Sequence, residues 1–441
     1  MEADDHISGK VSIPAPDAPA LKRARRHVFW DSEAGKRHSD FRRLLAGLWL
    51  SLSEEPFGKK SSRSNRLRTT RDLMDADSLP WRVESKYGRW PRMRAAVGLD
   101  MHFSSKRRQP PRIDKIVKWI LDELGDDYGN PLVYRDDSQV KWLFARLDSR
   151  LTAEESEPRI MLHAQTSSTI KANVRRAIEL DPGWNSRRAI GSSAYGTPDA
   201  WVPDDSMDYQ PLDEESPFAK EWSLRIPHER AYKRQQDMLR AVDSFAASVV
   251  ITYSLEKRGA PGDEGGTANA LRYLASAPHY VYDLGRMPTK RGDTQIFVET
   301  ARNLLAGAVD RSLGLPLRTQ VGITIFYVEN RTYPRDLDNL FLTIVPLVIT
   351  QLAPPSDDRN PWIAADRLRL LAGDDFRVDA SASGISFIEG VSLNIGSDEQ
   401  FPEGTVIVAL SNGARHESWW EMAQSYASDA TEHGEPWDSF D

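Results

Sequence analysis

Two aspartates stand two apart in YPRDLDNLFL, residues 333–342, at the start of the apolar run LFLTIVPLVI. Carboxylates at the mouth of a buried element are costly to desolvate unless something pairs with them. A helix cap needs only one of the two, Asp336 or Asp338, whereas a metal site uses both. With Asp336 still extended, both side chains point to one face, and Asn339 adds a neutral oxygen. The competing reading is a turn plus an N-cap, for which Asp-Asn is good chemistry.

A second group of acids lies earlier. Asp114 sits where PPRIDKIVKWILDELG passes from an extended lead-in to a helix, and Lys118 follows four residues on, along the same face. Asp136 and Asp137 head the next segment, LVYRDDSQVKWLFARL, and a strand–helix–strand arrangement would bring Asp114 towards them. Carboxylates gathered at one point raise each other's pKa unless a cation neutralises them. The chain has no cysteine and its 9 histidines are scattered, so the fitting cation is hard and oxygen-liking, Mg²⁺ or Mn²⁺. Such an ion polarises a phosphodiester and activates water, and a lysine beside it stabilises charge on phosphate oxygens. The local alternatives are an N-cap for Asp114, an i,i+4 ion pair with Asp114 or Asp122 for Lys118, and a turn for Asp136-Asp137.

The elements that must position these acids occur twice. Sliding the chain by 224 positions lays Val97-Gly98 on Val321-Gly322, Arg107 on Arg331, Pro110 on Pro334 and Asp114 on Asp338, without a gap. VGLDMHF and VGITIFYVE both read as strands, and each leads through a loop, a proline and an aspartate into a helix. The stripe Ile116, Val117, Ile120, Leu121, Leu124 marks the first helix. In the strand after it, Val140, Trp142 and Phe144 alternate with Lys141, Leu143 and Ala145. A helix over about 229–245, a strand at SVVITYSLEK and a helix over 294–308 complete the expected elements of the second half.

These residues carry a resemblance. DKIVKWILDELGDDYGNPLVYRDDSQVKWLFARL, residues 114–147, and RDLDNL, residues 335–340, resemble the two halves of the signature of the RusA family of Holliday-junction resolvases. The resemblance implies an α/β (α+β) fold with two RusA-like strand–helix–strand units forming a pseudo-dimer, and Mg²⁺- or Mn²⁺-dependent cleavage of branched DNA. It assigns Asp114, Lys118, Asp136 and Asp137 in the first unit, and Asp336 and Asp338 in the second, to the catalytic site. All but Lys118 would hold metal. Lys106, Arg107, Arg108 and Arg112 would contact DNA. The units also depart from the pattern. Arg112 stands where the leading acid of the pair is expected, Lys115 replaces the asparagine, and Leu342 replaces the lysine. No D-D-x-Q element follows the second unit in register; Asp357-Asp358 and Asp374-Asp375 are the nearest by composition. Pro346 is expected to interrupt the second helix. The corresponding alternative function is a junction- or partner-binding protein that has lost catalysis.

Composition sets the frame. The chain has 441 residues and a net charge of −7, yet residues 21–108 hold 22 Lys/Arg against 10 Asp/Glu, a phosphate-binding surface or a solvated basic arm. The expected divisions are a basic, partly disordered region at 1–80, the first unit at 81–180, an acidic Pro/Gly-rich linker at 181–225, the second unit at 226–397 and an acidic tail at 398–441. Trp119 and Trp142 read as core, and Trp419-Trp420 as a packed cap or a partner contact. No nucleophile elbow, Walker loop or zinc-protease motif occurs. With no apolar signal core and no cysteine, the expected location is cytoplasmic, away from membranes.

Overall fold

The structure is a computed structural model. It describes residues 47–53, 55–56, 93–107, 110–125, 133–149, 157–180, 265–277, 279–289, 294–311, 321–352, 385–395, 398–413 and 417–433, with single positions at 235, 238–239, 242, 250–251, 254, 317 and 415. Within these lie strands β1 (Leu48–Leu52), β2 (Val97–Ser105), β3 (Val140–Ser149), β4 (Arg159–Thr166), β5 (Val281–Arg286), β6 (Val321–Val328), β7 (Ile385–Leu393) and β8 (Thr405–Asn412). The helices are α1 (Ile113–Leu124), α2 (Ser167–Leu180), α3 (Gly265–Ala275), α4 (Thr294–Arg311), α5 (Leu337–Leu352) and α6 (Trp419–His433). This is the α/β architecture expected from the alternation of strand and helix patterns. Among the described residues no helix is long and apolar enough to cross a membrane.

One mixed sheet runs in the order β1-β4-β2-β3-β7-β6-β8-β5. β2 and β3 are parallel, as are β6 and β7, and every other neighbouring pair is antiparallel. The parallel pairs need crossovers, which α1 and α5 supply. Helices cover both faces. A Cβ on Gly98 would meet Ile170 of α2, and one on Gly390 would meet Phe341 of α5. Gly390 lies opposite Leu143, whose neighbour on β2 is Leu99, the residue after Gly98. Successive strand residues point to opposite faces, so α2 and α5 lie on opposite sides. α1 and α4 pack against α5, and α6 packs against α2. Buried on both faces, β6 is apolar at nearly every position.

The two elements related by the 224-residue offset begin in register: β2 at Val97 and β6 at Val321, α1 at Ile113 and α5 at Leu337. Both strands carry an irregularity in their parallel pairing at the Val-Gly step. In the second strand the glycine is required by close approach, since a Cβ on Gly322 would fall 1.9 Å from the Phe387 ring.

Four expectations are corrected. Val250, Ile251 and Ser254, read as strand, are helical. Val250 and Ile251 are fully buried there, and tertiary burial overrides their β preference. Pro346 does not end its helix, which continues to Leu352. Leu340, Phe341, Ile344, Val345 and Val348 are buried around it, each contributing about 1.5–3 kcal/mol, enough to offset about 3 kcal/mol for an internal proline. Leu48–Leu52, placed in the basic N-terminal region, forms β1 against β4. The stretch from Asp398, read as a tail, contributes β8 and α6 to the folded body. Trp119, Trp142, Trp419 and Trp420 are all buried. The linker at 181–225, Arg108, Asp357-Asp358 and Asp374-Asp375 lie outside the described residues.

Candidate metal centre

α1 presents Asp114, Lys118 and Asp122 one turn apart along its length, beside the stripe that packs on the sheet. Lys118 is the hub. Its Nζ lies 2.9 Å from Asp122 Oδ1, one turn further along the same helix, and 2.6 Å from Asp338 Oδ2 at the start of α5. It is also 3.8 Å from Asp137 Oδ2. Asp122 and Asp338 are almost fully buried, so each needs this partner.

Asp137 is delivered by a short 3₁₀ turn, Asp137–Gln139. The residue before it, Asp136, accepts the Ser138 N–H, while the Gln139 side chain accepts the N–H of Asp136, a reciprocal cap. Gln139 also donates to the carbonyls of Met93 and Ala95. The DDSQV signature is thus a rigid corner: Asp136 and Gln139 fix the turn, and Asp137 is aimed inward. The hydrogen bonds from Ser138 hold the Asp136 carboxyl below its ordinary pKa. On the second helix, Asp336 precedes Leu337, its carbonyl accepts the Leu340 N–H, and its carboxylate accepts from the Asn339 amide. Asp338 accepts the backbone N–H of Asn339.

The electrostatics are those of crowded carboxylates. Asp137 is pushed up to about 7, first by burial and then by the charge of Asp338, with Lys118 opposing and Asp336 and Asp122 adding to the rise. Asp336 is raised by burial and by Asp338 and Asp136. Burial pulls the Lys118 ammonium down, but its hydrogen bonds to Asp338 and Asp122 outweigh this and hold its pKa well above the ordinary lysine value. The fully buried Tyr134 hydroxyl donates to the Leu121 carbonyl beside this cluster. Burial, then the charges of Asp137 and Asp338, keep it protonated.

One carboxylate oxygen from each of Asp122, Asp137 and Asp338 lies within 4.8 Å of the other two. Mg²⁺ takes oxygens at about 2.0–2.1 Å, so the three carboxylates would have to draw together on a bound ion. The donors are all oxygens, as a hard cation prefers. The same position suits the Lys118 ammonium, which occupies it here.

The sequence-derived residues therefore divide. Lys118, Asp137 and Asp338 meet, with Asp336 coupled to them by charge. Asp136 caps the turn. Asp114 is fully buried but accepts from Arg112 Nε at 2.9 Å and from Nη2 at 2.7 Å, so it is a guanidinium partner and stands outside the trio. Asp122 takes the place expected for Asp114. Its spacing from Lys118 was visible, but its burial was not. Of the expected DNA contacts, the Lys106 side chain is exposed and its N–H donates to Glu55, and Arg107 lies 3.9 Å from the same carboxylate. Arg112 is committed to Asp114.

No protein-family model, curated protein or solved structure matches this chain.

Proposed function

We propose that this chain is a Mg²⁺- or Mn²⁺-dependent endonuclease for branched DNA, built as a pseudo-dimer of two RusA-like units. The observation that carries the reading is the meeting of Lys118 and Asp338, 220 positions apart in the chain. A lysine from the first unit and an acid from the second converge with Asp122 and Asp137 on one point.

The pairing at the sheet centre supports the pseudo-dimer. By strand register, Gly98 is opposite Trp142 and Gly322 is opposite Phe387, which makes Trp142 and Phe387 equivalent. Across β3 and β7, Leu143 faces Gly390, Phe144 faces Glu389, Ala145 faces Ile388 and Arg146 faces Phe387. Exchanging the two units returns the same pairs, with the axis at Phe144–Glu389.

In this reading Asp122, Asp137 and Asp338 hold the cation and Asp336 stands at its rim. The ion would supply Lewis-acid polarisation of the scissile phosphate and an activated water. Lys118 would turn from the carboxylates to a phosphate oxygen, where its fixed positive charge offsets the charge developing there. Lys106 and Arg107 would contact the DNA backbone, which positions the substrate without reading its sequence. The test is cleavage of a labelled four-way junction beside linear duplex, with Mg²⁺ or with EDTA. Junction cutting that requires the metal is expected, with at least a hundredfold loss in Asp137→Asn and junction binding retained. Cutting by that variant at the wild-type rate refutes the assignment.

A second reading rests on Lys118 itself, whose ammonium already fills the point where the three carboxylates meet. The fold would then bind junctions without cutting them. Junction DNA would raise the melting temperature while Mg²⁺ left it unchanged.

A further inference from the structure

The repeat means that a centre made by α1 of one unit and the start of α5 of the other must have a mate. It lies between α5 and the start of α1. The two helices begin 224 positions apart, so the residues of the mate can be named. Asp114 stands for Asp338, Arg112 for Asp336, Leu342 for Lys118 and Pro346 for Asp122. Resting on the function proposed above, we infer that the mate is closed, and that the described residues form one cation centre held across two unequal halves.

Among the described residues the mate lacks donors. Leu342 and Pro346 offer no side-chain oxygen. Its surviving acid, Asp114, is fully buried and gives both oxygens to Arg112. That guanidinium comes from the same chain two residues away, in the position where the live centre has the acid Asp336. A bidentate arginine–carboxylate pair is among the strongest in proteins, and an arginine does not lose its charge at accessible pH. The mate has therefore been given a permanent internal cation in place of an exchangeable one. The live centre shows the opposite choice: several carboxylates face one lysine, whose long stem can swing aside.

The division of labour is complementary. Unit one supplies Lys118, Asp122 and Asp137 to the live centre, and unit two supplies Asp338. The reciprocal contributions, Leu342 and Pro346 from unit two and Asp114 from unit one, have lost their ligands or lent them to Arg112. Each unit needs the other, but only in one direction.

The experiment is Mn²⁺ binding to the full chain by equilibrium titration, read by the loss of free-ion electron paramagnetic resonance signal, with no DNA present. Wild type should bind saturably. Asp338→Asn should weaken that binding by at least about tenfold, the lower range even for outer-shell losses. Asp114→Asn should leave both amount and affinity within about twofold of wild type. Because Asp114 is buried, Arg112→Met combined with Asp114→Leu removes both charges together and serves if the single variant fails to fold. If half of the binding survives in Asp338→Asn and disappears only when Asp114 is replaced, the mate is open and the inference fails while the proposed function stands. If wild type binds no Mn²⁺, the proposed function fails and this inference with it.

Discussion

At the scale of the residue, the centre is defined by how little charge balances its acids. Asp137 titrates near 7 because burial and the Asp338 charge penalise its ionised form. The sign of the consequence is fixed. An unfolded aspartate has a pKa of about 3.9, so between roughly pH 4 and 7 the folded chain binds the additional proton. Stability contributed by that proton is present at low pH and is lost as pH rises through 7. Without metal, thermal melts from pH 5 to 8 should therefore show a decline that Asp137→Asn flattens. Mn²⁺ should reverse the decline at pH 8 and do little at pH 5, where it competes with the proton. A metal effect that is independent of pH would remove Asp137 from the ligand set. Lys118, Asp137 and Asp338 were legible from residue type and spacing. Asp122 was not, because an i,i+4 acid on a helix looks the same whether solvated or buried. What distinguishes it is α5 packed over α1, a contact between segments far apart in sequence. Asp114 illustrates the converse. Its position in the pattern is right, but an arginine two residues away, readable in the sequence, takes up both of its oxygens.

At the scale of the element, the repeat was the strongest sequence signal, because strand, loop, proline, acid and helix recur in one order and the helix starts agree to the residue. Alternation and helical stripes located β2, β3, β6, α1 and α4 for the same reason: each buries a regular face. The misses have physical causes as well. TVIVALSN is a fully buried strand within an acidic stretch, and the charge of its surroundings concealed it. Val250 and Ile251 carry β-branched side chains into a helix because burial decides there. The Val-Gly step is where an element-scale test is sharpest. The Phe387 ring covers Gly322, and Phe387 is fully buried. Gly322→Ala must displace that ring within a packed sheet, an overpacking that costs about 1–3 kcal/mol. Urea unfolding should show that loss. In Gly98→Ala the added methyl meets only the end of the Ile170 side chain, so a smaller loss is expected. Equal stability of Gly322→Ala and wild type would mean that β6 and β7 pair less closely than described.

At the scale of the whole molecule, the proposed joining of two units in one chain would remove the constraint of exact symmetry. Two identical subunits must place the same residue at both related positions; one chain need not. On the pseudo-dimer reading the axis falls between unlike residues, Phe144 of β3 and Glu389 of β7. Arg415 bonds Glu389 at 2.6 Å and lies over the rings of Phe144 and Phe387, so it reaches across the seam between β3 and β7. On that face α6 is held to the first unit, since Asp100 accepts the Ser418 N–H and Glu421 pairs with His163. These contacts tie the C-terminal helix α6 to β2 and β4. If the proposed nuclease has one live centre, each bound junction should lose one phosphodiester: water adds across a single P–O bond and leaves one alcohol and one phosphate monoester. A supercoiled plasmid with an extruded inverted repeat distinguishes one cut from two. A single cut relaxes the circle, and the branched structure is reabsorbed once the supercoiling that drove it is gone. Nicked circles should therefore accumulate as the end product. Two coordinated cuts would instead give linear plasmid from the first time point, with no nicked precursor, and that result would require a second centre with the capacity of the first.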